Sequence, residues 1–273
     1  MQQDPQTIGL GACVKGAWRD ALGILRAGPG TALTIWLLML VADGALKALR
    51  QFIAATRHSL PAGMQLAASG LVFACTLITL ALLFGWSVQA MRFTVLGAPV
   101  ARPHRQFGSP FWRYVRLTLA YTLLMFLALA LTAGAIFLIL HFWPMKRAAA
   151  VFLIGLFSVG VGSVLFFVSV RISLLFCHAA LNRRTDWRAG WRDSADHVWS
   201  ISLTHLVASL PMIVATIALT LIQLHLAPIL HLDALSLLFA IAGGALTFVG
   251  ATVSGACSGW LYRRYADRLL AAA

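Results

Sequence analysis

The chain has 273 residues, 60% hydrophobic and only 11% charged, with 21 lysines and arginines against 8 acids for a formal net charge of +13. Soluble domains run near roughly 45–50% apolar and about 25% charged, so this chain lacks the polar side chains to cover a water-facing surface, and a soluble enzyme or binding module is excluded. All 8 acids are aspartates, and the absence of glutamate excludes a zincin-type helix or a glutamate acid–base pair.

The N-terminal stretch carries Asp4 and no basic residue before Lys15, unlike a cleaved signal peptide, in which a basic flank precedes a short apolar core. Residues 10–27 then read as an amphipathic helix. Cys13, Val14, Ala17, Trp18, Ala21, Leu22 and Leu25 recur at helical spacing on one stripe, with Lys15, Arg19 and Arg26 off it. The main reading of such a helix places it in the membrane plane, apolar face in the headgroup boundary; the alternative packs it beneath a bundle.

Crossing hydrocarbon about 30 Å thick takes about 20 mostly apolar residues. Six segments qualify, at about 31–49, 62–89, 117–140, 148–170, 201–226 and 234–262. The first meets Asp43 and Lys47 in its far half, where a spacing of four puts both on one helical face and predicts that they pair. An ionisable residue inside a span is a functional candidate, so two readings stand: a structural pair near the outer interface, or part of a transport path. The second span ends at Arg92. Ahead of the third, SPFWRYVRL at about 108–116 predicts a second interfacial helix, introduced by a loop signal at Ser109-Pro110.

The fourth span carries the small residues Gly155, Ser158 and Gly162 and ends at Arg171. Residues 185–199, TDWRAGWRDSADHVW, predict a third interfacial helix, with Thr185 or Asp186 able to cap its first turn. His178 and His197 flank this basic stretch and are expected to be solvated. His205 and Gln223 in the fifth span read as helix-to-helix hydrogen bonders. In the last span Gly243, Thr247, Ala251, Gly255 and Gly259 recur every four residues, a flat stripe that lets another helix approach closely. Packing within the chain is the main reading of that stripe, with a pore lining or a homodimer contact as alternatives.

Cys13, Cys75, Cys177 and Cys257 are dispersed in apolar runs and read as small buried hydrophobes rather than a disulfide framework or zinc site. His58, His141, His225 and His231 fall toward one side without the tight spacing of a helical metal site. No catalytic constellation, cofactor site or metal site is expected, and the chain reads as no enzyme.

Sixteen of the 21 basic residues fall at the N-terminus, between 91 and 116, between 171 and 199, and at the C-terminus; five fall on the opposite side. The positive-inside rule then puts both termini in the cytoplasm. A basic face of this kind suits anionic lipid; nucleic acid is not expected, since no RNA-binding motif accompanies it. Trp18-Arg19, Trp112-Arg113 and Trp191-Arg192 recur ahead of the odd-numbered spans, and the even-numbered spans end at Arg92, Arg171 and Arg263. Three helical hairpins, each preceded by an interfacial amphipathic helix, account for this pattern. So does the plain preference of Trp and Arg for the cytoplasmic interface. These six Trp and Arg residues are the candidate lipid-binding set.

The run from Arg171 through AALNRRTDWRAGWRDSADHVWSI into the next span resembles bacterial six-span proteins similar to the membrane domain attached to some glycerophosphodiester phosphodiesterases, and their stand-alone relatives. The likeness is best over about 90–262. It implies fold and location only: no catalytic barrel accompanies it, and without glutamate the carboxylate metal site of that family's hydrolysis is missing. Two functions follow as expectations. One is a non-catalytic, all-α polytopic membrane protein that engages anionic lipid, a protein partner or a second copy of itself at the cytoplasmic leaflet. The other is a small transporter or lipid-moving permease using the intramembrane polar residues Asp43, Lys47, Arg171 and His205.

Overall fold

The computed structural model describes residues 9–56, 61–97, 107–142, 147–230 and 233–271, and among these it contains nine helices and no strand. In chain order they are α1 (Leu10–Ala27), α2 (Pro29–Thr56), α3 (Ala62–Leu96), α4 (Ser109–Phe142), α5 (Arg147–Ala180), α6 (Trp187–Asp193), α7 (Val198–Leu230), α8 (Asp233–Tyr265) and α9 (Asp267–Ala271). Six of them (α2, α3, α4, α5, α7 and α8) are long and apolar enough to cross a membrane. The protein is therefore an all-α, multi-pass integral membrane protein. Arg57, His58, Lys146 and His231 lie outside the described residues.

Successive long helices pair as three hairpins: α2 with α3, α4 with α5, and α7 with α8. The last long helix, α8, is the hub, packing most broadly on α3, then on α7 and α1. Part of the reason is its run of small residues. A Cβ on Gly255 would sit 2.8 Å from the Ala90 Cβ and 3.0 Å from the Ser87 carbonyl, and one on Gly259 would sit 2.8 Å from Thr94. Only glycine allows α3 and α8 to approach this closely, and in a medium as apolar as leucine such contact is what holds helices together. Beside it, the Trp86 indole donates to Thr252 Oγ1 at 2.7 Å and stacks on Phe248. The upper part of the predicted stripe differs: Gly243 meets nothing nearer than Leu219 at 4.0 Å, and Thr247 is exposed. The shorter run on α5 packs against nothing, since no atom lies within 4 Å of a Cβ built on Gly155 or Gly162.

Buried residues gather at one end of the bundle, the end that carries α1, α6 and α9. Ile35 and Met39 of α2, Trp86 and Met91 of α3, Leu117 of α4, Leu174 of α5, Ile201 of α7 and Trp260 and Leu261 of α8 all belong to this core. Toward the opposite end few residues are buried, and leucines and phenylalanines such as Leu123, Phe126, Phe152 and Leu224 stand exposed, as lipid-facing side chains do in a chain that spans a membrane.

Three expectations about the segments ahead of the hairpins change. Residues 108–116 form no separate helix: α4 runs unbroken from Ser109, because Pro110 suits a first helical turn and nothing after it interrupts the ladder. The third segment is shorter than 185–199. Its helix stops at Asp193, and turns through Ser194 to His197 carry the chain into α7. The first matches 10–27, but its apolar stripe faces protein, with Cys13, Ala17 and Ala21 in the core and Gly16 so close to Trp260 that a Cβ would fall 2.4 Å from the ring. Its packing follows the reading in which the helix lies beneath the bundle. A C-cap at Gly28 with Pro29 next separates α1 from α2.

Candidate functional site

The basic end of the α4–α5 hairpin is closed by α6, and the local sequence explains how. Helix α5 ends in a Schellman turn: the Arg183 N–H reaches the His178 carbonyl, the Asn182 N–H reaches that of Ala179, and Asn182 takes the left-handed conformation at φ 64°. Four residues later Asp186 caps α6, its Oδ1 accepting from the N–H groups of Arg188 at 2.9 Å and Ala189 at 3.2 Å. Helix α6 then lies hard against α5. A Cβ on Gly190 would sit 2.7 Å from Leu175, so this position admits only glycine at the observed spacing.

Further bonds fix the other side of α6. Arg171 of α5 donates to the Trp191 carbonyl at 3.1 Å, and its guanidinium lies 4.8 Å from the Phe167 ring centre and 5.1 Å from that of Trp191. The Ser194 hydroxyl donates within reach of the Arg171 carbonyl at 2.8 Å. Asp193 points inward, buried, and its two carboxylate oxygens accept from the N–H groups of Arg268 and Leu269, capping α9. Two of the three acids of this segment are thereby committed to helix ends, and the third, Asp196, is exposed on the side of α5 facing α7.

What remains outward is WRxxWR. In a helix, Trp187 and Trp191 are one turn apart, and so are Arg188 and Arg192. All four line a cleft of about 470 Å³ whose other walls are Ala120, Tyr121 and Leu124 of α4 and Val168 and Ile172 of α5. Tyr121 is tied off by a hydrogen bond to Ser169, which leaves the walls apolar. Among the described residues the Arg188 and Arg192 side chains meet no hydrogen-bond or ion-pair partner. Arg19, by contrast, pairs with Asp20 at 3.5 Å, and Arg113 donates to the Asn182 carbonyl at 2.9 Å. A second cleft, of about 670 Å³, lies on the other side of α5 toward α7, with Gly162, Phe166 and the exposed Trp199 on its walls and Asp196 at its edge. A third, of about 370 Å³, lies between Arg50 of α2 and Ser69 of α3.

The three predicted Trp-Arg pairs have three different surroundings. Trp18 turns into the protein and donates its indole N–H to the Ala208 carbonyl at 3.1 Å. Trp112 is exposed on α4, with Arg113 bound to the α5 terminus. Trp191 and Arg192 are in the cleft, together with Trp187 and Arg188, which the sequence reading passed over. The signal for those two was present, since WR repeats after four residues and puts like side chains on one helical face.

Asp43 and Lys47 do not pair. Both are exposed on α2, and no ion pair joins them; the Asp43 carboxylate instead lies near the Thr79 hydroxyl of α3, which itself donates to the Cys75 carbonyl at 3.2 Å, a neighbour that a spacing rule confined to one helix does not reveal. His205 is partly buried on α7. His178 is buried rather than solvated, as α5 runs on to Ala180 and places its ring between the Tyr262 hydroxyl at 2.8 Å and the Arg184 carbonyl at 3.0 Å. His197 is exposed and stacks on Tyr265. Comparison with protein-family models, curated proteins and solved structures finds no match to this chain.

Proposed function

We propose that the protein is a non-catalytic membrane protein that holds an anionic phospholipid at the cytoplasmic leaflet of a bacterial inner membrane, in the cleft between α4, α5 and α6. One observation carries this reading: an apolar cleft bounded by two membrane-spanning helices has two unpartnered guanidiniums and two indoles at its basic edge. Its volume falls within the roughly 300–1,000 Å³ range of ligand sites. An acyl chain lies against Leu124 and Val168, the indoles stay at headgroup level, and a guanidinium meets a phosphate with two parallel N–H donors. The fit is to a lipid because one ligand must satisfy an apolar wall and a cationic rim together. Among the described residues, Asp43, Lys47, Arg171 and His205 line none of these three clefts.

Native mass spectrometry of the protein purified in mild detergent tests this. A basic side chain near an anionic surface contributes about 1 kcal/mol, and a single phosphate engages one guanidinium at a time, so replacing Arg188 and Arg192 together with glutamine should weaken phosphatidylglycerol retention by about fivefold. Raising salt should produce the same loss in the parent protein. Equal, salt-insensitive retention by parent and double variant would overturn the proposal.

A further inference from the structure

We infer that the cleft selects a lipid headgroup carrying two phosphates, one held by Arg188 and one by Arg192, an assignment that rests on the lipid-binding reading above. Three observations converge on it. The two guanidiniums rise from one face of α6 one turn apart, which puts their Cβ atoms about 5–6 Å from each other. Two phosphates joined through a single three-carbon bridge are held at a separation that this pair of long side chains can span, each phosphate meeting its own planar fork.

Charge balance points the same way. The cleft is lined by two cations and no acid. The nearest acids in sequence are spoken for: Asp186 caps α6 and Asp193 caps α9. A headgroup with one negative charge leaves one guanidinium uncompensated beside an apolar wall, whereas a headgroup with two leaves none.

The third observation is rigidity. Asp186 fixes the start of α6, Gly190 seats its middle against Leu175, and the Arg171 bond to the Trp191 carbonyl with the Ser194 bond to the Arg171 carbonyl fixes its end. The spacing between the two arginine backbone positions is therefore set before the lipid arrives, and binding leaves only the two side chains to be ordered rather than the helix that carries them.

The full-length protein, delipidated in detergent, is titrated with dioleoylphosphatidylcholine, dioleoylphosphatidylglycerol and tetraoleoyl cardiolipin and read by native mass spectrometry. In the parent protein the second phosphate adds about fivefold in affinity for cardiolipin over phosphatidylglycerol. In Arg188→Gln and in Arg192→Gln that preference falls by about fivefold, while phosphatidylglycerol loses no more than about twofold because either remaining guanidinium serves it. The extra acyl chains of cardiolipin raise its binding in every variant alike, so the change in the ratio reports the phosphates. Both arginines are exposed, and an unchanged melting temperature confirms that each variant is folded. A ratio that stays constant across the single variants overturns the two-phosphate assignment and leaves the lipid-binding reading intact. Phosphatidylglycerol binding no tighter than phosphatidylcholine in the parent protein overturns both.

Discussion

The contact between α3 and α8 makes a quantitative prediction for Gly255→Ala. The added methyl would meet the Ala90 Cβ at 2.8 Å and the Ser87 carbonyl at 3.0 Å. Neither neighbour can rotate away, one being a methyl on a rigid helix and the other backbone, so the two helices must move apart. Overpacking of this kind costs about 1–3 kcal/mol. Exchanging glycine for alanine inside a helix itself contributes about 1 kcal/mol in the opposite sense, so the comparison needs a control with the same propensity change. Gly155→Ala on α5 serves, because its Cβ meets nothing within 4 Å. Gly255→Ala should therefore melt about 2–12 °C below Gly155→Ala in detergent, taking about 2–4 °C per kcal/mol for a chain of this size. Gly243→Ala, with only Leu219 at 4.0 Å, should track the control. Equal melting temperatures for all three variants would show that close approach of α3 and α8 contributes nothing to stability.

Two further predictions follow from contacts that cross the bundle. Asp193→Ala removes the acceptors for the first N–H groups of α9 and should lower local stability by about 1 kcal/mol, which hydrogen exchange reads as about fivefold faster exchange at Arg268 and Leu269. Asp193→Asn should recover part of the protection, and unchanged exchange in both variants would refute the cap. At the other site, Asp43→Asn and Thr79→Val should couple by at least about 0.5 kcal/mol in a double-mutant cycle on unfolding, whereas Asp43→Asn and Lys47→Gln should add to within that amount. The reverse pattern would restore the intrahelical pair and remove the link to α3.

Much of the fold is legible in the sequence because the membrane imposes its own ruler. Unbroken apolar runs of about 20 residues have few alternatives to spanning helices, and all six appear, in the hairpin order that their short connections imply. Helix ends are less legible. The structure carries α3 to Leu96 and α5 to Ala180, past Arg92 and Arg171, where the charge had suggested an exit. Arg92 is buried and donates to the Ala180 carbonyl, so its charge is answered by a backbone dipole from another helix. Hydropathy has no information about such a partner. The last glycine stripe was readable as a packing surface, yet only its basic-end half meets α3. Where along the helix the close contact ends is a tertiary property that the glycine spacing does not encode.

The site shows the same division more sharply. Trp18, Trp112 and Trp191 look alike in sequence, each followed by arginine and leading toward a span, yet one donates to an α7 carbonyl, one stands free and one lines the cleft. Composition at the interface cannot separate these fates, because a tryptophan suits an interface equally when its indole faces headgroups or a neighbouring helix. What separates them is where the acids go. Asp20 pairs with Arg19, whose side chain stays exposed, and accepts from the Trp260 indole at 2.9 Å, which ties α1 to α8 and leaves Arg19 with an internal partner. Asp186 and Asp193 are taken up by helix ends, which leaves the cations of α6 without internal partners. In a chain with 21 basic residues and 8 acids, most cations lack an acidic partner by arithmetic alone, and the position of each acid determines which cations stay available to an external anion. At α6 that selection leaves two arginines one turn apart beside an apolar wall, and the proposed lipid site rests on this pairing more than on the number of basic residues on the face.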